Sequence, residues 1–122
     1  MSGLRAPFAM TVVAAAILCG CGHMQAIGSH RVLQVTLTEF RITPQDIRGQ
    51  AGPLTIFVHN FGRLSHNLAI SRDGRADGST QAIPPGQTSE LAVTLSPGTY
   101  QLASTILSDQ ALGAYGTLTL GR

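Results

Sequence analysis

Hydrophobic and polar positions alternate along most of this chain beyond residue 30. In "RVLQVTLTEF" (residues 31 to 40), Leu33, Val35 and Leu37 fall on one face and Gln34, Thr36 and Thr38 on the other. That period-2 pattern belongs to a strand with one buried side. "PLTIFVHN" follows a Gly-containing turn, and "HNLAIS" comes next. "SELAVTL" points Leu91, Val93 and Leu95 inward, "SPG" turns the chain, "TYQLAST" runs back, and "GAYGTLTL" closes the domain. Between these segments "RDGRADGST" has Gly or Asp every few residues and predicts a surface loop. "IPPGQ" predicts a turn, with Pro fixing φ and Gly taking the left-handed position. No stretch keeps a 3.6-residue period over three turns, so short strands punctuated by Pro and Gly predict an all-β sandwich.

The first 20 residues read differently. Arg5 gives a positive start, and "FAMTVVAAAIL" (8 to 18) is an apolar stretch without a charge. A bilayer span needs about 20 such residues, so this stretch suits the core of an export signal rather than a permanent helix. It ends in "LCGC", which resembles the bacterial lipobox: Leu18, two small residues, then Cys21 as the lipidated first residue of the mature protein. On that resemblance residues 1–20 are a lipoprotein signal peptide and Cys21 carries acyl chains such as palmitate. The protein is then exported and held by lipid at the outer face of the cell membrane, or at a membrane surface facing the periplasm. Several chains are needed for stable anchoring, since one alone binds marginally. Residues 21–30, small and polar without period, read as a flexible tether, and 31–122 as the folded domain. Cys19 leaves with the signal and Cys21 is capped, so the mature chain has no free thiol and no disulfide.

Charge narrows the picture by exclusion. The formal net charge is +2, and the eight basic residues, all Arg, are scattered. No basic stripe of the kind that grips nucleic acid is present.

The order "TEFRITPQDI", "AGPLTIFVHNFGRLSHNLAI", "IPPGQTSELAVTLSPGTY", then a strand, a Gly-bearing loop and a final strand, resembles the cupredoxins, the small blue-copper proteins. The resemblance covers residues 31 to 122. It rests on Asn60 at a strand end, His66 opening the next strand, and "LSPGTY" leading into the last hairpin. It implies a Greek-key β-sandwich with copper bound between the His66 loop and that hairpin. The family's copper loop carries Cys, then Gly-His, then Gly-Met-x-Gly. With Gly113 and Gly116 setting the register, Ser104 stands at the thiolate position, Ser108 and Asp109 at the Gly-His pair, and Ala114 at the axial Met. Of the four implied ligands only His66 remains.

A type 1 copper site needs two imidazoles, a thiolate and a weak axial sulfur. A serine hydroxyl is hard and neutral, so it does not replace the thiolate. The expectation is therefore a domain with a degenerate copper site and no cofactor, not an enzyme, acting as a binding or accessory module for an unidentified envelope protein. The alternative is a copper-binding protein, in electron transfer or copper handling, with His66 and Asp109 as a weak metal pair helped by His59. His23 and His30 in the tether carry little signal. Ser104, His66 and Asp109 are also the residue types of a nucleophilic triad, which would require a Ser104 to His66 hydrogen bond. In metal-bearing relatives the surface around the ligands is an apolar docking patch. The corresponding residues here are Leu64, Ile106, Leu107 and Leu112.

Overall fold

A computed structural model of the chain describes residues 24–106, 109 and 113–122. Among the described residues ten strands form two sheets: β1 (Met24–Ala26), β2 (Val32–Thr38), β3 (Arg41–Thr43), β4 (Asp46–Gln50), β5 (Gly52–Asn60), β6 (Ala69–Arg72), β7 (Arg75–Ser79), β8 (Thr88–Leu95), β9 (Gly98–Ala103) and β10 (Tyr115–Gly121). There is no helix among the described residues. One sheet has the order β1-β4-β10-β9-β6-β7 and the other β3-β2-β5-β8. Non-consecutive neighbours, with β2 parallel to β5 and β4 parallel to β10, mark the crossovers of a sandwich.

The inward faces are those the alternation predicts. Leu33, Val35 and Leu37 are buried on β2 and stand in register with Ile56, Val58 and Asn60 of β5. From the other sheet Ile47, Ile70, Tyr100, Leu102, Leu118 and Leu120 meet them. Each such side chain contributes roughly 1.5–3 kcal/mol by leaving water, and with so many in one cluster this term holds the two layers together. On β8, Leu95 is buried as expected, whereas Leu91 and Val93 are only half-buried and pack against the rim of the core.

Two segments differ from the sequence reading. "RDGRADGST" is not a loop throughout: Arg75–Ser79 is β7, hairpinned onto β6. Asp73 and Gly74 both sit at positive φ, 53° and 77°, the Asp-Gly turn that matches strand twist in a tight hairpin. Part of the stretch read as a flexible tether is also ordered. Met24–Ala26 pairs in parallel with β4, and the Ile27 N–H continues that ladder to Arg48 O at 2.9 Å. Both strands are exposed edges that bury almost nothing. Their content is backbone pairing, which a hydrophobic pattern does not report.

At one end of the sandwich the inward-facing positions change from apolar to polar. Asn60 follows Val58 on β5, and Ser104 follows Leu102 just beyond β9; both are buried. This end is where the predicted site residues lie.

Candidate functional site

Asn60 builds the loop that leads to His66. Its side-chain oxygen accepts the Gly62 N–H at 2.8 Å, and its amide donates to Leu64 O and Ile83 O, each at 2.8 Å. With donor and acceptor both engaged, this buried amide holds residues 60 to 64 in one conformation. His66 is pinned next, by the exchange of backbone hydrogen bonds with Ile83 (3.2 and 2.7 Å). It lies three residues before β6 and is 1 % exposed.

Glu39, at the end of β2, closes the same loop from below. Its Oε1 accepts the N–H groups of Arg63 and of Leu64, the latter at 2.9 Å. These two backbone donors hold its carboxyl at about 2, down from 4.5, with a smaller contribution from the His66 ring at 3.4 Å. Because the folded value is the lower one, the contact contributes stability that is complete above pH 4.5 and is lost as the pH falls through about 2. Thermal denaturation of Glu39→Gln is expected to show a deficit against the native chain at neutral pH that closes on acidification through that window. A constant deficit would mean that the carboxylate charge plays no part.

The second half of the site comes from the last hairpin. Ser104 N–H donates to Ala114 O at 3.1 Å, and Ala114 N–H to Asp109 O at 2.9 Å. This folds the segment back on itself and turns Asp109 inward. Two glycines permit it. Gly113 has φ 117°, and a Cβ there would meet Phe40 O at 2.8 Å; at Gly116 a Cβ would meet Gln45 O at 2.7 Å.

The centre is a buried polar cluster. Asp109 Oδ2 lies 2.7 Å from His66 Nδ1 and 2.7 Å from Ser104 Oγ. An ionised carboxylate only accepts, so His66 Nδ1–H and Ser104 Oγ–H both donate to that one oxygen. Asn67 completes the shell, its N–H donating to Ser104 Oγ at 3.3 Å while its side chain fastens Thr105.

This geometry decides among the chemical expectations. Ser104 gives its only proton to Asp109 and makes no hydrogen bond to His66, so the nucleophilic arrangement is not formed. The two carboxylates beside His66 face different ring nitrogens, Asp109 at Nδ1 and Glu39 at Nε2, so they do not converge on one ion. Among the described residues no group of three or more His, Cys, Asp or Glu side chains has the arrangement of a metal site. His59 is elsewhere: it points outward from β5, bonded to Thr88 and Gln34 and stacked on Phe61.

The structure therefore brings His66, Ser104, Asp109 and Ala114 to one place, all buried. Leu64 is 54 % exposed beside them and Ile106 half-buried, while Cys21, His23, Leu107, Ser108 and Leu112 lie outside the described residues. Sequence reasoning missed Glu39, Asn67 and two further exposed rings on the adjoining loops, Phe40 and Phe61. Asn67 directly follows His66 and was the more readable of the two polar groups; Glu39 acts on backbone 24 and 25 residues away and leaves no local mark.

The model of one family, described as a cupredoxin-like domain, matches residues 9–115. No curated protein matches the sequence. Among solved structures, dithionite-reduced auracyanin from the photosynthetic bacterium Roseiflexus castenholzii superposes with a TM-score of 0.70 at 17 % identity, over 78 % of this chain and 100 % of that one. Reduced rusticyanin gives 0.65 at 14 % identity, over 80 % and 84 %. Auracyanin A, titled a "blue" copper protein, from the green thermophilic photosynthetic bacterium Chloroflexus aurantiacus, gives 0.60 at 16 %, over 72 % and 99 %. At these identities the likeness is one of fold.

Proposed function

Because this chain belongs to the family of cupredoxin-like domains, we propose that it keeps the family's sandwich but uses the copper end as a closed, metal-free binding surface. The observation that carries this reading is the single oxygen of Asp109 standing 2.7 Å from both His66 Nδ1 and Ser104 Oγ. The donor set does not fit a type 1 centre: Ser104 offers a hard hydroxyl, Ala114 offers nothing, and the one imidazole has its Nδ1 proton committed to Asp109. With the polar cluster sealed, what this end presents to solvent is Phe40, Phe61 and Leu64, at 44 %, 68 % and 54 % exposure. An apolar rim around a rigid polar plug suits docking to another protein of the cell envelope, in a role that is accessory rather than enzymatic.

Adding Cu(II) to the purified chain is the direct test. No intense thiolate-to-copper absorption in the visible range is expected, and calorimetry is expected to show no saturable site that depends on His66. A blue protein would end this reading, and copper uptake abolished by His66→Ala would favour copper handling instead.

The same proposal places the protein outside the cytoplasm, anchored through an acylated Cys21. Support comes from the lipobox-like "LCGC" and the apolar segment ahead of it. In membrane fractionation Cys21→Ala is expected to move the protein to the soluble fraction. Unchanged retention in the membrane would point to a different anchor.

A further inference from the structure

β1 shortens the distance between the lipid and the folded domain. In the sequence residues 21–30 read as a tether, but β1 is paired to β4 from Met24 onward, so only Gly22 and His23 separate Cys21 from a strand. Three residues span at most about 11 Å when fully extended. The headgroup layer at which an acylated cysteine sits is itself about 5–8 Å deep. The start of β1 is therefore confined close to the bilayer surface. The register says which part of the sandwich that is. Met24 stands opposite Asp46, and Asp46 opposite Thr117, two residues from Tyr115. The chain thus joins the domain on the half that carries the His66 cluster.

The exposed apolar side chains collect on the same half. Among the described residues the large ones are Met24, Val32, Phe40, Phe61, Leu64 and Tyr115, and of these only Val32 lies toward the opposite end. They do not all face one way. Ile47 and Leu118 point into the core, so Met24, Asp46, Thr117 and Tyr115 share the outer face of the six-stranded sheet. On that face Met24 is 58 % and Tyr115 47 % exposed. Phe61 belongs to the other layer, where it follows β5 and stacks on the outward-pointing His59. An exposed methionine beside a tyrosine suits the boundary between headgroups and acyl chains, where a ring finds apolar surroundings and its hydroxyl stays wet. Asp46 and Arg48 lie along the same face of β4 and offset each other in charge. Apolar contact, not headgroup charge, is what this flank offers a membrane.

We propose that the β1 flank, through Met24 and Tyr115, rests on the bilayer that holds Cys21, and so leaves Phe61 and Leu64 turned toward the protein partner. The inference rests on the reading of Cys21 as acylated and adds an orientation to it. The domain is docked on lipid and does not swing freely on its anchor.

The chain has no Trp, so a single introduced one reports alone. Acylated full-length Tyr115→Trp and Phe61→Trp are reconstituted into phosphatidylcholine vesicles with or without brominated acyl chains. Co-sedimentation tests the anchor first: both variants are expected with the vesicles, and Cys21→Ala in either background is expected to release them. Chains that do not sediment would end the anchor reading and this one with it. In sedimenting chains, brominated lipid is expected to quench the emission of Tyr115→Trp several-fold more than that of Phe61→Trp. Adding Met24→Ser to Tyr115→Trp is expected to lower the ratio of docked to undocked domain about five-fold, the weight of roughly half a methionine side chain. The melting temperature is expected to stay unchanged, because the side chains of β1 are exposed. If a sedimenting Tyr115→Trp chain is not quenched, is quenched no more than Phe61→Trp, or ignores Met24→Ser, the docking is overturned while the anchor stands. Protection of the same emission from aqueous iodide in native membranes alone would then give the flank to a protein.

Discussion

Asp109→Ala is expected to destabilise the fold by about 3 kcal/mol, the scale for leaving two buried hydrogen-bond donors without their acceptor. The carboxylate accepts from His66 Nδ1 and Ser104 Oγ at 2.7 Å each, and both donors belong to residues only 1 % exposed. Truncation leaves an N–H and an O–H buried without an acceptor, and each such orphan costs about 1–3 kcal/mol. Urea denaturation reads the loss directly. Asp109→Asn keeps a side-chain oxygen in place and is expected to cost about half as much. In a double-mutant cycle the effects of Asp109→Ala and Ser104→Ala are expected to be far from additive, because the second substitution removes a donor already orphaned by the first. A loss below about 0.5 kcal/mol for Asp109→Ala, the level of an ordinary surface change, would show that the plug does not hold this end of the sandwich.

How much of this was written in the sequence depends on what each residue buries. Leu33, Val35 and Leu37 announce β2 because an apolar side chain at every second position has one explanation, and all three are buried. Ser104 is readable in the same way: Tyr100, Leu102 and Ser104 share one inward face, so a polar residue there marks the place where the core ends. β1 and β7 were not readable, since exposed edge strands are defined by backbone hydrogen bonds that any sequence can make. The Asp73-Gly74 pair was the one local sign of the β6–β7 hairpin, and it was outweighed by the polarity around it.

The site divides along the same line. That His66 and Asp109 would meet followed from the family resemblance, because 43 residues separate them and nothing local joins them. That they would meet as hydrogen-bond donor and acceptor, with Ser104 sharing the same oxygen, is a matter of tautomer and rotamer and has no sequence signature. Glu39 shows the limit most clearly. It meets Arg63 and Leu64 because Leu37 and Asn60 stand side by side in the parallel pair β2–β5, and the crossover that makes them neighbours is a property of the whole topology.

The largest effect expected of any substitution is a gain, from the triple variant Ser104→Cys, Asp109→His, Ala114→Met. Positions 66, 104 and 109 already deliver side-chain atoms to a common point, since one Asp109 oxygen touches both His66 Nδ1 and Ser104 Oγ. Ala114 is buried and bonded through its backbone to both Ser104 and Asp109, so it lies in the same layer. A thiolate at 104, a second imidazole at 109 and a thioether at 114 are the soft trigonal set with a weak axial sulfur that Cu(II) takes in blue sites. All three changes are needed together. Ser104→Cys alone leaves Asp109 holding the His66 Nδ1 proton, so the ring nitrogen that faces position 109 and the Ser104 cluster stays unavailable to a metal held there. On adding Cu(II) the triple variant is expected to develop an intense visible absorption that the native chain and the single variant lack, and to melt at a higher temperature with copper than without it. A folded triple variant that stays colourless would show that 104, 109 and 114 are not the ligand register of this hairpin. A native chain that colours under the same titration would show instead that Asp109 yields His66 to a metal.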